Sequence, residues 1–268
     1  MTNVLTDRST SCKAVYGPVE SWRFGYSLGV DPIGAISTCS FNCAYCQLGN
    51  IQHHTQQRQV FVPTEQILQE LAALAPIPDL NVVTLSGSGE PTLALNLDKI
   101  LTGLRQQIPC PIVVLTNATL LGTAGVQADL ESVDLVVVKL DAVSADHLQR
   151  VNRPCSDIDF DTILAGICSF AASHRGKWAL QTMMLAPWSE AERSRYIQLV
   201  QELNPAEVQL NIPRRPRVLE RRLDARGNHV VVEEPDVLRS LNCISNATVR
   251  EFAQEIEAQT NSWVRYPV

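Results

Sequence analysis

Short apolar runs alternate along most of the chain with segments in which apolar residues recur every three or four positions. The runs predict buried β-strands, and the periodic segments predict amphipathic helices. Strands are predicted over residues 33–38, 82–85, 112–115, 133–140, 178–185 and 208–212. Helices are predicted over residues 64–74, 97–107, 126–131, 145–151, 160–172 and 190–203.

This alternation indicates the fold class. Strands that are apolar on both faces and alternate with helices form a parallel sheet that the helices cover. Six such repeats are too few for the closed eight-stranded barrel. The prediction is therefore an α/β fold with an open parallel (β/α)6 partial TIM barrel and a small C-terminal extension. A flat, doubly wound sheet is the alternative.

The pattern also divides the chain. Residues 1–15 are predicted to be a flexible N-terminal arm, 16–213 the core partial barrel, and 214–268 an extension that covers the barrel opening. Within the core, residues 16–32 are rich in Gly and aromatic residues and predict a loop. Within the extension, Thr248 and Glu251 predict a capping box that begins a helix ending at Gln259. A last strand is predicted at residues 263–266.

Composition places the chain among ordinary globular proteins. It has 268 residues, of which 45% are hydrophobic and 19% are charged. Residues 1–11 lack the apolar centre of a secretory signal, and no apolar run approaches the ~20 residues of a membrane span. Eight cysteines in such a chain favour a metal site in a reducing compartment over a disulfide framework. A cytoplasmic protein with no membrane segment is expected.

Three of the cysteines, Cys39, Cys43 and Cys46, lie within eight residues and follow the first predicted strand. Three thiolates on one loop can bind one soft metal centre. A mononuclear zinc site or a four-cysteine cluster needs a fourth ligand, and no second cysteine pair follows nearby. The simplest interpretation is a [4Fe-4S] cluster held by three cysteines, with one iron open for chemistry. A zinc site or a group of reduced thiols is the alternative.

Further polar residues fall where predicted strands end, the position at which parallel α/β folds bind ligands. Each of them has an alternative interpretation, because a polar residue at a strand end often only satisfies the backbone of the next loop. The candidates are Ser88, Gly89 and Glu90 after the second strand, Thr116 and Asn117 after the third, Asp141 after the fourth, Gln181 in the fifth, and Asn211 at the end of the sixth.

The cysteine spacing, with the aromatic Tyr45 before the last cysteine, resembles that of the radical S-adenosylmethionine (SAM) enzymes. That resemblance implies a partial barrel, a [4Fe-4S] cluster on the three cysteines and SAM bound to the open iron. It also implies roles for individual residues: Tyr45 against the adenine, Ser88, Gly89 and Glu90 at the SAM amino group, Asp141 at the ribose hydroxyls, Gln181 in contact with SAM, and Thr116 and Asn117 as the paired residues after the third strand. Asn211 is expected to join the polar floor of the site.

Residues 17–18, 27–32, 43–49, 86–93 and 139–154 further resemble the superfamily branch that contains the wyosine-forming tRNA enzymes. This makes a modified tRNA base the leading candidate substrate and a flavodoxin or ferredoxin the implied one-electron donor. The chain departs from that branch because only Cys12 precedes the three clustered cysteines, so a second N-terminal cluster is not expected. Lys139 is the only lysine at a predicted strand end, which puts a condensation with pyruvate in doubt.

Six arginines lie within residues 214–226 of a chain whose net charge is −6. They are predicted either to bind the phosphates of an RNA or nucleotide substrate, or to form a solvated loop with ion pairs. The alternative functions are a radical SAM reaction on a small molecule or peptide, including methyl transfer, and a non-enzymatic metal-binding or redox-sensing module. Among the remaining residues, His53 and His54 are predicted at the surface, Cys168 in the core, and Arg23 either at the site or in packing.

Overall fold

The structure is a computed structural model, and it describes residues 13–74, 79–213, 217–218, 238–239, 241 and 244–267. The strands are β1 (Val15–Ser21), β2 (Gly25–Val30), β3 (Thr38–Cys39), β4 (His53–His54), β5 (Val82–Leu85), β6 (Ile112–Thr116), β7 (Leu135–Lys139), β8 (Lys177–Met183), β9 (Glu207–Asn211), β10 (Arg217–Val218), β11 (Leu238–Arg239) and β12 (Trp263–Arg265). The α-helices are α1 (Thr64–Ala72), α2 (Leu97–Gln107), α3 (Ala124–Asp129), α4 (Ala145–Val151), α5 (Phe160–Ser173), α6 (Glu190–Leu203) and α7 (Asn246–Gln259), and a 3-10 helix spans Pro91–Leu93.

The main sheet has eight strands in the order β1-β2-β5-β6-β7-β8-β9-β12. Within this sheet, the seven strands from β2 to β12 in the given order pair in parallel, and β1 pairs antiparallel with β2 at one edge. The sheet curls into a partial barrel, so the predicted α/β class and open barrel are confirmed. Because the connected strands run parallel, their carboxyl ends meet at one rim, and this rim carries the candidate site.

The first parallel strand is not the predicted one. Residues 25–30, predicted as loop, form β2, whereas residues 33–37 form bends and irregular backbone. The Asp31 side chain accepts hydrogen bonds from the backbone N–H groups of Ile33 (3.0 Å) and Gly34 (3.1 Å), and Gly34 has φ = +81°. These local bonds hold an apolar stretch in a turn, against its strand propensity.

The two faces of the sheet bury separate apolar clusters. The larger cluster lies between the sheet and the helices and includes Val136 and Val138 of β7. A smaller one forms on the other face from Val82, Val113 and Val137. Because side chains alternate along a strand, Lys139 follows Val137 on this inner face. The carboxyl end of β7 therefore presents polar groups to the barrel interior.

The turn between β1 and β2 reaches the opposite edge of the sheet at its amino end. Arg23 Nη1 donates to Gln209 Oε1 of β9 (3.5 Å), and the Arg23 carbonyl accepts from Arg265 of β12. Burial and the charge of Arg265 lower the pKa of Arg23 to about 10. Arg23 thus packs across the base of the barrel, at the end of the strands opposite the loop that carries Cys39, Cys43 and Cys46 (the cysteine loop).

The termini of the described chain also depart from the predicted boundaries. Ala14 is buried and Val15 begins β1, so these two residues of the predicted arm belong to the folded core, while residues 1–12 lie outside the described residues. Helix α7 begins at Asn246 because the Ser245 hydroxyl accepts from Thr248 N, so the predicted capping box is wrong. The last predicted strand is confirmed as β12, which pairs with β9.

Two further properties concern the helices. Cys168 on α5 is exposed, so its predicted place in the core is wrong: it lies one residue past the buried stripe. No helix in the described part of the chain combines the length and apolar character that a membrane crossing requires.

Candidate active site

The cysteine loop runs across the carboxyl rim of the sheet between two supports. On one side, Thr38 N donates to Ser88 O (3.0 Å) and Thr38 O accepts from Glu90 N (3.1 Å). On the other side, the carboxyl end of α4 and the residues after it supply carbonyl groups: Val151 O accepts from Ala44 N (2.8 Å) and Asn152 O accepts from Asn42 N (3.0 Å). The strand-end motifs after β5 and β7 therefore hold the loop that carries Cys39, Cys43 and Cys46.

The first of these supports requires glycine at position 89. A Cβ atom on Gly89 would lie 1.7 Å from Thr38 O, well inside any possible contact. Gly89 also forms an isolated parallel bridge with Thr38. Gly89, which the sequence predicts to lie at a ligand, is therefore also needed for the close approach of the cysteine loop.

Glu90 joins the loops after β5 and β6. Its Oε1 accepts from Thr92 N (3.0 Å), Thr92 Oγ1 (2.7 Å) and Thr116 Oγ1 (2.7 Å), and its Oε2 accepts from Asn117 N (2.6 Å). The side chain is buried, and this burial raises the pKa of Glu90, although the hydrogen bonds partly oppose the rise. Since Oε2 accepts one of these bonds and Oε1 three, Oε2 retains acceptor capacity.

Asp141 forms the second polar centre of the site. Its Oδ2 accepts from Tyr45 Oη and from Asn152 Nδ2 (2.7 Å), and lies 3.7 Å from Lys139 Nζ. Its Oδ1 accepts from Met183 N (2.8 Å). The carboxylate thereby ties the cysteine loop to the ends of β7 and β8.

Lys139 links this centre to the predicted Gln181. Its Nζ lies 3.4 Å from Gln181 Oε1 and 5.3 Å from the centre of the Tyr45 ring, an arrangement that favours a cation–π contact. Burial and the Asp141 charge raise the pKa of Tyr45 well above its usual value, so the phenol stays protonated and donates. Lys139, which the sequence marked only as a strand-end lysine, is thus part of the site.

The sulfurs of Cys39 and Cys43 accept hydrogen bonds from N–H groups on both sides of the cysteine loop. Cys39 Sγ accepts from Phe41 N (3.4 Å) and Asn117 Nδ2 (3.5 Å), and Cys43 Sγ accepts from Asn152 Nδ2 (3.4 Å). Asn152 received no role from the sequence, because it follows a helix and not a strand. The sequence did contain one indication of Asn152, because the motif at residues 139–154 includes both Asp141 and Asn152.

The chemistry of the thiols fits a metal cluster. Burial and the Glu90 carboxylate raise the pKa of the Cys39 thiol well above its usual value. Burial and Asp141 raise the pKa of the Cys43 thiol to about 12, with Lys139 opposing the rise. Without a metal these thiols are protonated at neutral pH, so binding of iron must displace their protons.

Within the described ranges, no three His, Cys, Asp or Glu side chains are already placed to hold a single metal ion. A [4Fe-4S] cluster binds each thiolate to a different iron atom, so its ligands surround a group larger than one ion. Cys39, Cys43 and Cys46 on one loop, with N–H donors directed at the Cys39 and Cys43 sulfurs, fit such a cluster.

Other predicted residues lie around this centre. Ser88 and Thr116 are buried under the cysteine loop, and Asn211 at the end of β9 uses its Oδ1 to accept from Ile212 N (2.9 Å). Exposed His54 lies beside the site, with Nε2 3.0 Å from Ser40 O, and His53 is exposed as predicted.

Arg217 is the described member of the arginine-rich segment. It is buried and donates to Asn50 Oδ1, so it joins β10 to the end of the cysteine loop. The other arginines of that segment, and Cys12 and Cys243, lie outside the described residues.

Comparison with known proteins assigns the family. The chain belongs to the radical SAM superfamily, because the model of that superfamily matches residues 35–200. It is 48% identical over 258 residues to the UPF0026 protein slr1464 of Synechocystis sp., covering 96% of this chain and 97% of the relative. It is 34% identical over 206 residues to the UPF0026 protein MJ1312 of Methanocaldococcus jannaschii, covering 75% of this chain and 64% of that protein.

A solved structure agrees with the fold. A radical SAM methyltransferase from Sphaerobacter thermophilus superposes with a TM-score of 0.62 at 15% identity, covering 90% of this chain and 66% of that one. At this identity the likeness concerns the fold alone. By its family the chain is a radical SAM enzyme, with a [4Fe-4S] cluster and SAM as its cofactors.

Proposed function

We propose that Cys39, Cys43 and Cys46 hold the [4Fe-4S] cluster, and that the enzyme removes a hydrogen atom from a substrate bound at the inner face of the sheet. The observation that carries this proposal is the position of the cysteine loop. It lies between the Glu90 and Asp141 centres, with N–H groups directed at two of its sulfurs. When bound, the reduced cluster supplies the electron that cleaves SAM to methionine and a 5′-deoxyadenosyl radical.

The chain's own residues are proposed to bind and orient SAM. The free acceptor capacity of Glu90 Oε2 suits the SAM ammonium group, with Ser88 and Gly89 beside it. Tyr45 is proposed to lie against the adenine, and Asp141 to face the ribose hydroxyls after partial exchange of its present partners. Thr116, Asn117, Gln181 and Asn211 are proposed to complete this polar wall, which surrounds the cofactors and limits access of water.

The test is anaerobic cleavage of SAM. After reconstitution with iron and sulfide, dithionite and SAM are added and 5′-deoxyadenosine is measured by mass spectrometry. Cys43→Ala is expected to abolish the product and the four-iron absorption. Cys168→Ala, which changes an exposed cysteine on α5, is the matched control and should retain both. Equal product from Cys43→Ala and the wild type would refute the proposal.

For the substrate, we propose a base of tRNA. The support is the resemblance of residues 86–93 and 139–154 to the tRNA-modifying branch, together with six arginines at 214–226. If these arginines contact phosphates, each contact adds roughly 0.7–0.9 to the slope of log affinity against log salt. Replacing Arg221 and Arg222 by Gln should then lower tRNA retention and flatten this slope.

Exposed Arg175 and Arg250 provide the control for that experiment, because they carry the same charge elsewhere on the chain. Their replacement by Gln should leave tRNA retention close to the wild-type value. Equal losses in the two pairs would indicate non-specific attraction and refute the tRNA proposal. Turnover of a small molecule or peptide without RNA would identify the alternative substrate class.

A further expectation concerns the electron donor. The electron is proposed to come from a flavodoxin or ferredoxin in a reducing cytoplasm. A mixture of reduced donor, enzyme and SAM should form 5′-deoxyadenosine without dithionite. If no flavodoxin or ferredoxin supported formation of 5′-deoxyadenosine while dithionite did, the proposed electron donor would be wrong.

A further inference from the structure

Two buried asparagines, Asn117 and Asn152, have the same arrangement beside different cysteines. Asn117 Nδ2 donates to Ser40 Oγ (2.8 Å) and to Cys39 Sγ (3.5 Å). Asn152 Nδ2 donates to Asp141 Oδ2 (2.7 Å) and to Cys43 Sγ (3.4 Å). In each case a short bond to oxygen orients the amide, and the second N–H group points at a sulfur.

The orientation of each amide follows from its surroundings. Asn117 Oδ1 accepts from Thr119 N (3.1 Å) and Thr119 Oγ1 (2.9 Å), and these contacts fix which end of the amide carries nitrogen. Turning the Asn152 amide would place its oxygen against the Asp141 carboxylate, which is repulsive. Both side chains therefore present N–H groups to the cysteine loop.

The same two cysteines have the site's two buried carboxylates as neighbours, since the charge of Glu90 acts on Cys39 and that of Asp141 acts on Cys43. Negative charge near a cluster disfavours the addition of an electron. Hydrogen bonds donated to ligand sulfurs have the opposite effect, because they stabilise the more negative, reduced state. Each asparagine thus donates to a sulfur that has a buried carboxylate nearby.

We infer that Asn117 and Asn152 are positioning residues that raise the reduction potential of the cluster by donating to the Cys39 and Cys43 sulfurs. The step they favour is the uptake of one electron by the oxidised cluster from a low-potential donor, with no proton transferred. This inference rests on the proposed ligation by the three cysteines. It extends the role of Asn117 beyond contact with SAM and gives Asn152 its first role.

The test is a redox titration of the reconstituted protein without SAM. The EPR signal of the reduced cluster is followed as dithionite lowers the solution potential. Asn117→Leu and Asn152→Leu remove the donors with little change in size. Each is expected to shift the reduction equilibrium about tenfold toward the oxidised cluster, which for one electron is about 59 mV. The double variant should shift further than either single variant.

Asn96→Leu is the matched control. Asn96 is also buried, its Nδ2 donates to Val62 O (3.1 Å) and Thr64 Oγ1 (2.9 Å), and its Oδ1, like that of Asn152, lacks a hydrogen-bond partner. A purely structural effect of losing a buried asparagine would appear in all three variants as lower stability. A shift in potential should appear only in Asn117→Leu and Asn152→Leu.

A second measurement uses the wild type and does not depend on the variants folding. With asparagine labelled by 15N only in its side chain, pulsed EPR of the reduced cluster should detect a weak coupling to that nitrogen. A wild-type cluster with no 15N coupling, or variants with unchanged potential, would overturn the inference alone. Absence of a four-iron cluster from the wild type would overturn the proposed ligation and this inference with it.

Discussion

Gly89→Ala is the sharpest test of how the site is assembled, because it adds one methyl group at the contact between two loops. The new Cβ atom would lie 1.7 Å from Thr38 O and 2.6 Å from Thr38 C. Both are backbone atoms, so no side-chain rotation relieves the clash. The segment that carries Cys39 must move away from the loop that carries Glu90.

The size of the effect follows from the bonds at this contact. Separation of the loops breaks the Thr38 N–Ser88 O and Glu90 N–Thr38 O hydrogen bonds, each worth about 1 kcal/mol. Overpacking of a filled site adds about 1–3 kcal/mol. We therefore expect the free energy of unfolding to fall by about 3–5 kcal/mol, a large share of the ~5–15 kcal/mol that stabilises a domain. The iron content after reconstitution should fall as well.

The assay is urea denaturation of the apoprotein, followed by iron analysis after reconstitution. Gly122→Ala is the control, because a Cβ atom there would lie 3.6 Å from the nearest atom, Gly166 Cα, an ordinary contact. It should change the free energy of unfolding by less than about 1 kcal/mol. If Gly89→Ala matched this control in both measurements, the inferred packing of the two loops would be wrong.

Changes at two other residues, His147 and Tyr45, test separate parts of the structure. Burial lowers the pKa of His147, so the unfolded chain binds more protons than the folded one, and this contribution reduces stability as pH falls through the unfolded pKa near 6.5. In urea denaturation between pH 5 and 8, His147→Gln should flatten the acid-side slope by up to about 1.4 kcal/mol per pH unit. A slope equal to that of the wild type would contradict this. Tyr45→Phe loses the bond to Asp141 and should lower the free energy of unfolding by about 1–3 kcal/mol while keeping SAM affinity in calorimetry. Tyr45→Ala should weaken SAM binding, and equal SAM affinity in both variants would exclude stacking of the ring on adenine.

The helices and most strands were predictable because their apolar periodicity reflects the packing they make. The bounds of α2, α4 and α6 match the predictions, and β5, β6, β7, β8 and β9 lie within or close to their predicted runs. All of these strands place apolar residues against the helices, so tertiary packing and local pattern favour the same structure.

β2 was missed for the opposite reason. Its sequence contains Gly25 and Gly29, which lower strand propensity, yet Gly29 is required because the Tyr16 ring packs on it. A Cβ atom on Gly29 would lie 2.2 Å from that ring. The favourable contact comes from β1, so the pattern within residues 25–30 does not reveal it.

The candidate site shows a similar division between chemistry and contacts. The cysteine spacing and the strand-end positions predicted which residues meet at the rim, and Glu90, Thr116, Asn117, Asp141 and Tyr45 do share one hydrogen-bond network with the cysteine loop. Their partners depend on how loops from different strands cross, which residue type and spacing do not specify.

The contacts also give the two carboxylates a second task besides any contact with SAM. Glu90 fastens the loop after β5 to the loop after β6, and Asp141 fastens the cysteine loop to β7 and β8. Both groups are buried, so a ligand that reaches them must replace or join hydrogen bonds that already hold the cysteines in place. Binding of SAM at these carboxylates and the positions of Cys39 and Cys43 would therefore be coupled through the same hydrogen bonds.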